Sequence, residues 1–144
     1  MLKDRPPMCH NLAILSDADF ALDGSLSELA RLAAETERFC RERSLDSEVE
    51  FDLNLALEEL FTNALRHGGC EGMEKAVHVR LQVAAGDVCV EFRDRGRAFD
   101  PATAPPPQIG RIGGLGIHLV REIMRDLRYQ RAGEWNQITM RRPI

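Results

Sequence analysis

LNLALEELFTNALRHGG, residues 53–69, is the stretch whose reading decides the fold. Val49, Leu53, Ala56, Leu57, Leu60 and Ala64 recur at helical spacing and make one apolar stripe, so a buried helix is expected here. On the border of that stripe stand Glu59 and Asn63, four residues apart and therefore one above the other, with Arg66 and His67 a turn further on. A carboxylate, an amide and two basic side chains thus share one edge. Each taken singly suits a solvated helix face. Gly68-Gly69 supplies the left-handed exit with which helices commonly end.

Upstream, Asp46 or Ser47 is the expected N-cap, and Ser47 with Glu50 has capping-box spacing. Ser25 with Glu28 repeats that spacing, and Leu26, Leu29, Ala33, Thr36 and Cys40 predict a first amphipathic helix running to about Arg43. The brief apolar run NLAILS, residues 11–16, reads as an edge strand.

Downstream the period changes to two. Val77, Val79, Leu81 and Val83 alternate with His78, Arg80 and Gln82, and after a turn at Gly86-Asp87 the residues Val88, Val90 and Phe92 continue the pattern on a second strand. The same alternation places Asp94 on the inward face, where a carboxylate needs donors. Residues 95–113, with four prolines at Pro101, Pro105, Pro106 and Pro107, exclude helix or central strand and form a long loop of the kind that serves as a lid. Gly113-Gly114-Leu115-Gly116 opens a helix carrying Ile117, Leu119, Val120, Ile123, Met124 and Leu127, and a glycine-rich entry to a helix suits an anion. Residues 127–132 and 135–140, joined at Gly133-Glu134, predict a terminal hairpin.

A chain of 144 residues, 44% hydrophobic, is expected to be a single domain spanning residues 1–144. Its net charge of -4 opposes nucleic acid as the partner, since phosphate backbones are held by clustered Lys and Arg. Cys9, Cys40, Cys70 and Cys89 lack metal-ligand spacing and read as reduced core thiols. No apolar run approaches the roughly 18 residues of a membrane span, and MLKDRPPM has no secretory apolar segment, so no membrane association and a cytoplasmic location are expected.

Three boxes now stand in a fixed order: ELFTNA with LRHG (residues 59–68), DRGRAFDP (residues 94–101) and GLGI (residues 114–117). In order and spacing the chain resembles the GHKL ATPase superfamily over nearly its whole length, and most closely the single-domain anti-sigma factor serine kinases of partner-switching systems. The closing NQITM, residues 136–140, is similar to that family's last strand. The resemblance implies an α+β fold: a two-layer α/β sandwich of the Bergerat ATP-binding type, with a mixed, mostly antiparallel sheet and helices on one face.

It further implies ATP and Mg2+ as cofactors. Asp94 would accept the exocyclic amine of adenine and repel the guanine carbonyl. Gly96 would let backbone pass close to the base, with Ala98 and Phe99 beside it. Ala98 stands where many members carry a second glycine. Asn63 would offer an amide oxygen to magnesium, and Arg66 would meet a phosphate with His67 nearby. Gly113, Gly114, Leu115, Gly116 and Ile117 would hold the phosphate chain under a lid whose cation is Arg111. Asn136 occupies the place where many members set a threonine near adenine. Glu59 becomes the candidate general base for attack by a protein hydroxyl.

By the same resemblance the hydroxyl belongs to a serine on a STAS-type anti-anti-sigma factor, a sigma factor is a further target, and the protein is a homodimer. The alternative is a nucleotide-dependent binding or switch module without phosphoryl transfer. A histidine kinase is disfavoured, because His10 is the only upstream histidine and sits in no long dimerising helix. A gyrase-type ATPase would need a transducer domain beyond Ile144.

Overall fold

The structure, a computed structural model, describes residues 17–101 and 115–144. Strand β1 (Asp17–Leu22) is followed by a single 3-10 turn at Leu26–Glu28, then helices α1 (Leu29–Glu42) and α2 (Ser47–Arg66). Strands β2 (Val77–Ala84) and β3 (Asp87–Asp94) form a hairpin, helix α3 (Leu115–Ile123) follows, and β4 (Arg125–Ala132) with β5 (Trp135–Pro143) closes the chain. The sheet order is β1-β2-β3-β5-β4. Every pairing among the described strands is antiparallel, where a mixed sheet was expected.

The organising helix is as read. Val49, Leu53, Ala56, Leu57, Leu60 and Ala64 are all buried, joined by Phe61 and Leu65, which widen the apolar face beyond a single stripe. Helix α2 packs between α1 and α3 and lies over β3 and β5. Phe61 and Phe92 are fully buried, each contributing roughly 1.5–3 kcal/mol. An Arg142–Asp52 ion pair at 2.8 Å ties the start of α2 to the end of β5 and so sets the helix along the sheet.

The first helix buries most of its expected stripe, with Thr36 and Cys40 in the core and Leu29 packed against it. Leu32, Thr36, Phe39 and Cys40 face the core, whereas Leu26 and Ala33 are exposed. Leu26 lies in the 3-10 turn that precedes the helix, outside its regular spacing. Ser25 does cap, accepting from Ser27 N–H at 3.3 Å, but Glu28 takes the Asp23 N–H at 2.9 Å instead of returning to Ser25. Asp46 is the N-cap of α2 by position, without a side-chain bond.

The expected strand at residues 11–16 lies outside the described residues. The first described strand is DADFAL, whose Phe20 and Leu22 are buried against β2 while Asp17 and Asp19 face out. Four acidic or small residues in six hid it from a propensity reading. The β2–β3 turn is at Ala85-Gly86, both with positive φ, one residue earlier than expected. Cys40 and Cys70 are free and buried, but Cys89 is disulfide-bonded, a departure from four reduced thiols. No helix among the described residues is long and apolar enough to cross a membrane.

Candidate active site

The end of α2 and the end of β3 are built into one another. Asn63 O accepts from both His67 N–H (2.9 Å) and Gly68 N–H (3.2 Å), and Ala64 O accepts from Cys70 N–H (3.2 Å), with Gly69 at φ +80 turning the chain out. Gly68 O then accepts from Arg97 N–H at 2.9 Å, and His67 O from Arg97 Nη2 at 2.8 Å. The helix's own exit thus satisfies the carbonyls of Asn63 and Ala64, and the segment following Asp94 takes those of His67 and Gly68. That clamp brings two distant boxes of sequence together.

Asp94 is 6% exposed, on the inward face as the alternation predicts. Its Oδ1 accepts from Gly96 N–H (2.8 Å), Asn136 Nδ2 (3.0 Å) and the Cys70 thiol (3.9 Å). Burial pushes its carboxyl above the usual range, opposed by the Asn136 and Gly96 hydrogen bonds and by the Arg131 charge. Gly96 is required for a reason the sequence did not show. A Cβ there would stand 2.8 Å from Asp94 Oδ1 and 2.9 Å from Gly68 O, so the constraint is the helix exit and the turn, whatever lies in the slot.

Two pockets adjoin along α2. One is walled by Leu60, Ala64, Phe99 and Ile138 and has Asp94 and Asn136 at its polar end. The other is lined by Glu59, Thr62, Arg66, Gly116 and Ile117. Asn63 and His67 line both, so one trough runs from the buried carboxylate to Glu59. The apolar end suits a flat heteroaromatic ring bearing a donor, and the open end, with acid, amide and guanidinium, suits a polyphosphate.

The structure therefore brings Glu59, Asn63, Arg66, His67, Asp94, Phe99, Gly116, Ile117 and Asn136 around one trough. Ala98 is exposed and lines neither pocket. Arg111, Gly113, Gly114 and most of the expected lid lie outside the described residues, and of Leu115 only its place at the start of α3 is described. The first turn of α3 is met by a carboxylate: a Cβ on Gly116 would lie 1.8 Å from Glu59 Oε2. Thr139 is on the opposite face of β5, paired with Glu91, and is removed from the base end of the trough.

Asn136 sits directly across from Asp94 in the β3–β5 register. Its amide is spent on protein groups rather than held free for a base. Four participants escaped sequence reading: Cys70, Arg97, Tyr129 and Arg131. Nothing in their spacing marks them, since each acts through partners 24 to 35 positions away or across a hairpin.

Among the described residues no group of three or more His, Cys, Asp or Glu side chains can hold a metal ion. A divalent cation in the trough would take most of its oxygens from phosphate and water, with Asn63 as the protein ligand. That donor set fits magnesium, which keeps several waters while bridging phosphates.

This two-layer arrangement, three helices on one face of an antiparallel sheet with an acid-ended trough beneath α2, defines a GHKL-type α+β domain. Residues 22–142 match the family described as "Histidine kinase-like ATPase domain", and the chain belongs to that family. It is similar to the serine/threonine-protein kinase BtrW of Bordetella bronchiseptica, 33% identical over 98 residues, which are 64% of this chain and 69% of that protein. Among solved structures it superposes on the RsbU and RsbW domains of Rv1364c from Mycobacterium tuberculosis with a TM-score of 0.69 at 18% identity, covering 89% of this chain. The blue-light activated histidine kinase EL346 of Erythrobacter litoralis gives a TM-score of 0.52 at 21% identity over 81% of this chain. The chain spans 32% and 41% of those two longer chains, and at these identities the likeness is one of fold.

Proposed function

We propose that this chain is a protein serine kinase of a partner-switching system. It binds ATP with adenine at Asp94 and the phosphates beside Asn63 and Arg66, and it transfers the terminal phosphate to a serine of a STAS-type anti-anti-sigma protein. A sigma factor or similar target is sequestered by the same protein, and a cytoplasmic homodimer goes with this reading. The carrying observation is the pair of adjoining pockets, sharing Asn63 and His67, with Glu59 at one end and buried Asp94 at the other. The name of the BtrW relative supports the kinase half.

In this reading Glu59 accepts the serine hydroxyl proton as the serine oxygen bonds to the terminal phosphorus. The bond from that phosphorus to its bridging oxygen breaks, and ADP leaves with the electron pair. Arg66 meets the charge that spreads over the phosphoryl oxygens. A bound magnesium ion would supply charge neutralisation at the phosphates. Asn63 would offer it an amide oxygen, a neutral ligand where the phosphates already carry the charge.

The second reading, a nucleotide-dependent switch without transfer, is favoured by the packing of Glu59 Oε2 against Gly116, which gives that carboxylate a structural contact. One experiment separates the two: incubation with terminal-phosphate-labelled ATP, magnesium and the STAS protein encoded nearest this gene. Label on serine is expected. Thermal stabilisation by ATP with no label on the partner would leave the switch.

The Gly116 contact carries its own prediction. Gly116→Ala displaces only the end of a flexible side chain, so the melting temperature should stay within about 3 °C, while phosphate transfer falls about tenfold as the Glu59 carboxylate is pushed from its place. Calorimetry and the same label assay measure the two; unchanged transfer would show that the place of the Glu59 carboxylate against α3 is immaterial.

A further inference from the structure

The hydrogen bonds behind Asp94 reach the far edge of the sheet. Tyr129 on β4 donates its hydroxyl to Asn136 Oδ1 at 2.6 Å, and Arg131 Nη1 donates to the same oxygen at 3.2 Å and to Gly96 O at 2.7 Å. With two donors on its oxygen side, the Asn136 amide has one orientation. Its Nδ2 is shared among Asp94 Oδ1 (3.0 Å), Arg97 O (2.7 Å) and Gly96 O (3.3 Å). The flipped amide would set an oxygen against a carboxylate and two carbonyls, and an NH2 against two donors.

We infer that Tyr129 and Arg131 act as positioning residues which, through the Asn136 amide, assign the two oxygens of Asp94 separate duties: Oδ1 is committed to protein donors, and Oδ2 is kept as an ionised acceptor for the 6-amino group of the nucleotide base. The inference rests on the adenine reading of the slot and specifies how that reading is enforced. Asn136 on this view is no contact to the base. It holds the charge state and rotation of the residue that is.

Three donors converge on Oδ1, and among the described residues none meets Oδ2. A carboxylate that is 6% exposed is costly to ionise, so donors to its charged form decide whether it remains an acceptor. A protonated Asp94 would carry an O–H, which pairs with a 6-oxo base in place of a 6-amino one. The backing network is therefore a specificity device as well as a support. The titratable and charged groups around Asp94 are Cys70 after α2, His67 at the end of α2, Arg97 in the following turn and Arg131 on β4. Burial pushes the Cys70 thiol to about 11, so it stays protonated and a donor.

The test measures MgATP and MgGTP affinity from acid to alkaline pH for wild type, Asn136→Leu and the double variant Tyr129→Phe/Arg131→Met. All three retain His67 and bind the same phosphates, so wild-type profiles cancel those titrations. For Asn136→Leu, MgATP binding about tenfold weaker than wild type at about pH 5.5, recovering to within about threefold at about pH 8.5, is expected. Its ATP-over-GTP preference at the acid end should shrink by a similar factor. The double variant leaves Asn136 in place and alters only partly exposed side chains of an edge strand, so it reports even if Asn136→Leu does not fold; the same trend is expected, smaller in size.

Profiles parallel to wild type in the double variant, or an affinity loss equal at every pH, would overturn the inference while leaving adenine recognition standing. Wild type binding MgATP and MgGTP equally would overturn the adenine reading itself and the inference with it.

Discussion

Asp94→Asn is expected to abolish recognition of adenine while leaving the protein folded. At a hundredfold excess over Kd a ligand stabilises by about 2.7 kcal/mol, so MgATP should raise the wild-type melting temperature by about 5 to 10 °C. In the variant that shift should fall to between about half and about a tenth of its wild-type size. The reason lies in what already surrounds the carboxylate. Gly96 N–H, Asn136 Nδ2 and the Cys70 thiol all point at Oδ1. An amide at this place must turn its own oxygen toward those donors, which leaves its NH2 facing the slot. Donor then meets donor at the 6-amino group, and the loss is that of a hydrogen bond to a charged group, about 1.5–3 kcal/mol, or roughly 10- to 150-fold in affinity. A 6-oxo nucleotide, GTP or ITP, should instead gain.

The stability of the unliganded variant provides the control. The folded Asp94 carboxyl is raised above its unfolded value by burial, so the folded state binds the proton more tightly than the unfolded one. Its contribution is fully present below the ordinary carboxylate range and is lost as pH rises through the raised value. Asparagine has no charge to desolvate. Unliganded Asp94→Asn should therefore melt no lower than wild type at neutral pH, and its stability should fall less steeply as pH rises from the acid side. A large MgATP shift retained by this variant would remove Asp94 from base recognition.

Glu59→Gln should separate chemistry from binding. The side chain keeps its length and its place against Gly116, and it sits at the far end of the trough from Asp94. MgATP affinity should stay within about threefold, whereas transfer to a STAS serine should drop by about 100- to 10,000-fold, the usual contribution of a positioned proton acceptor. Binding is read by the thermal shift and transfer by label on the partner. Transfer at the wild-type rate would mean that positioning alone carries the reaction; loss of both would mean that Glu59 serves the architecture of the α2–α3 contact.

Helix α2, the β2–β3 hairpin, the terminal hairpin and the inward Asp94 were all legible in the order of residues. Each is a local property: a period of 3.6 or 2, a glycine exit, a turn of the right residues between alternating runs. The boxes at residues 59–68, 94–101 and 114–117 were legible for a related reason, because chemistry borne by one short segment leaves its residue types side by side. Strand β1 was missed, and the inward face of α1 was read only in part, without Leu32 and Phe39, where composition was weak and packing against β2 or α2 made the choice.

What only the tertiary structure decided is the wiring between the boxes. Sequence order says nothing of Arg97 holding the carbonyls of His67 and Gly68 at the exit of α2, of Gly96 lying against Gly68, or of Tyr129 and Arg131 holding Asn136 against Asp94. Those contacts exist because the β3–β5 register sets Asp94 opposite Asn136 and because the end of α2 descends on the same corner of the sheet. A hydrogen bond depends on where two atoms finish in space, and for residues far apart in the chain no local pattern encodes it.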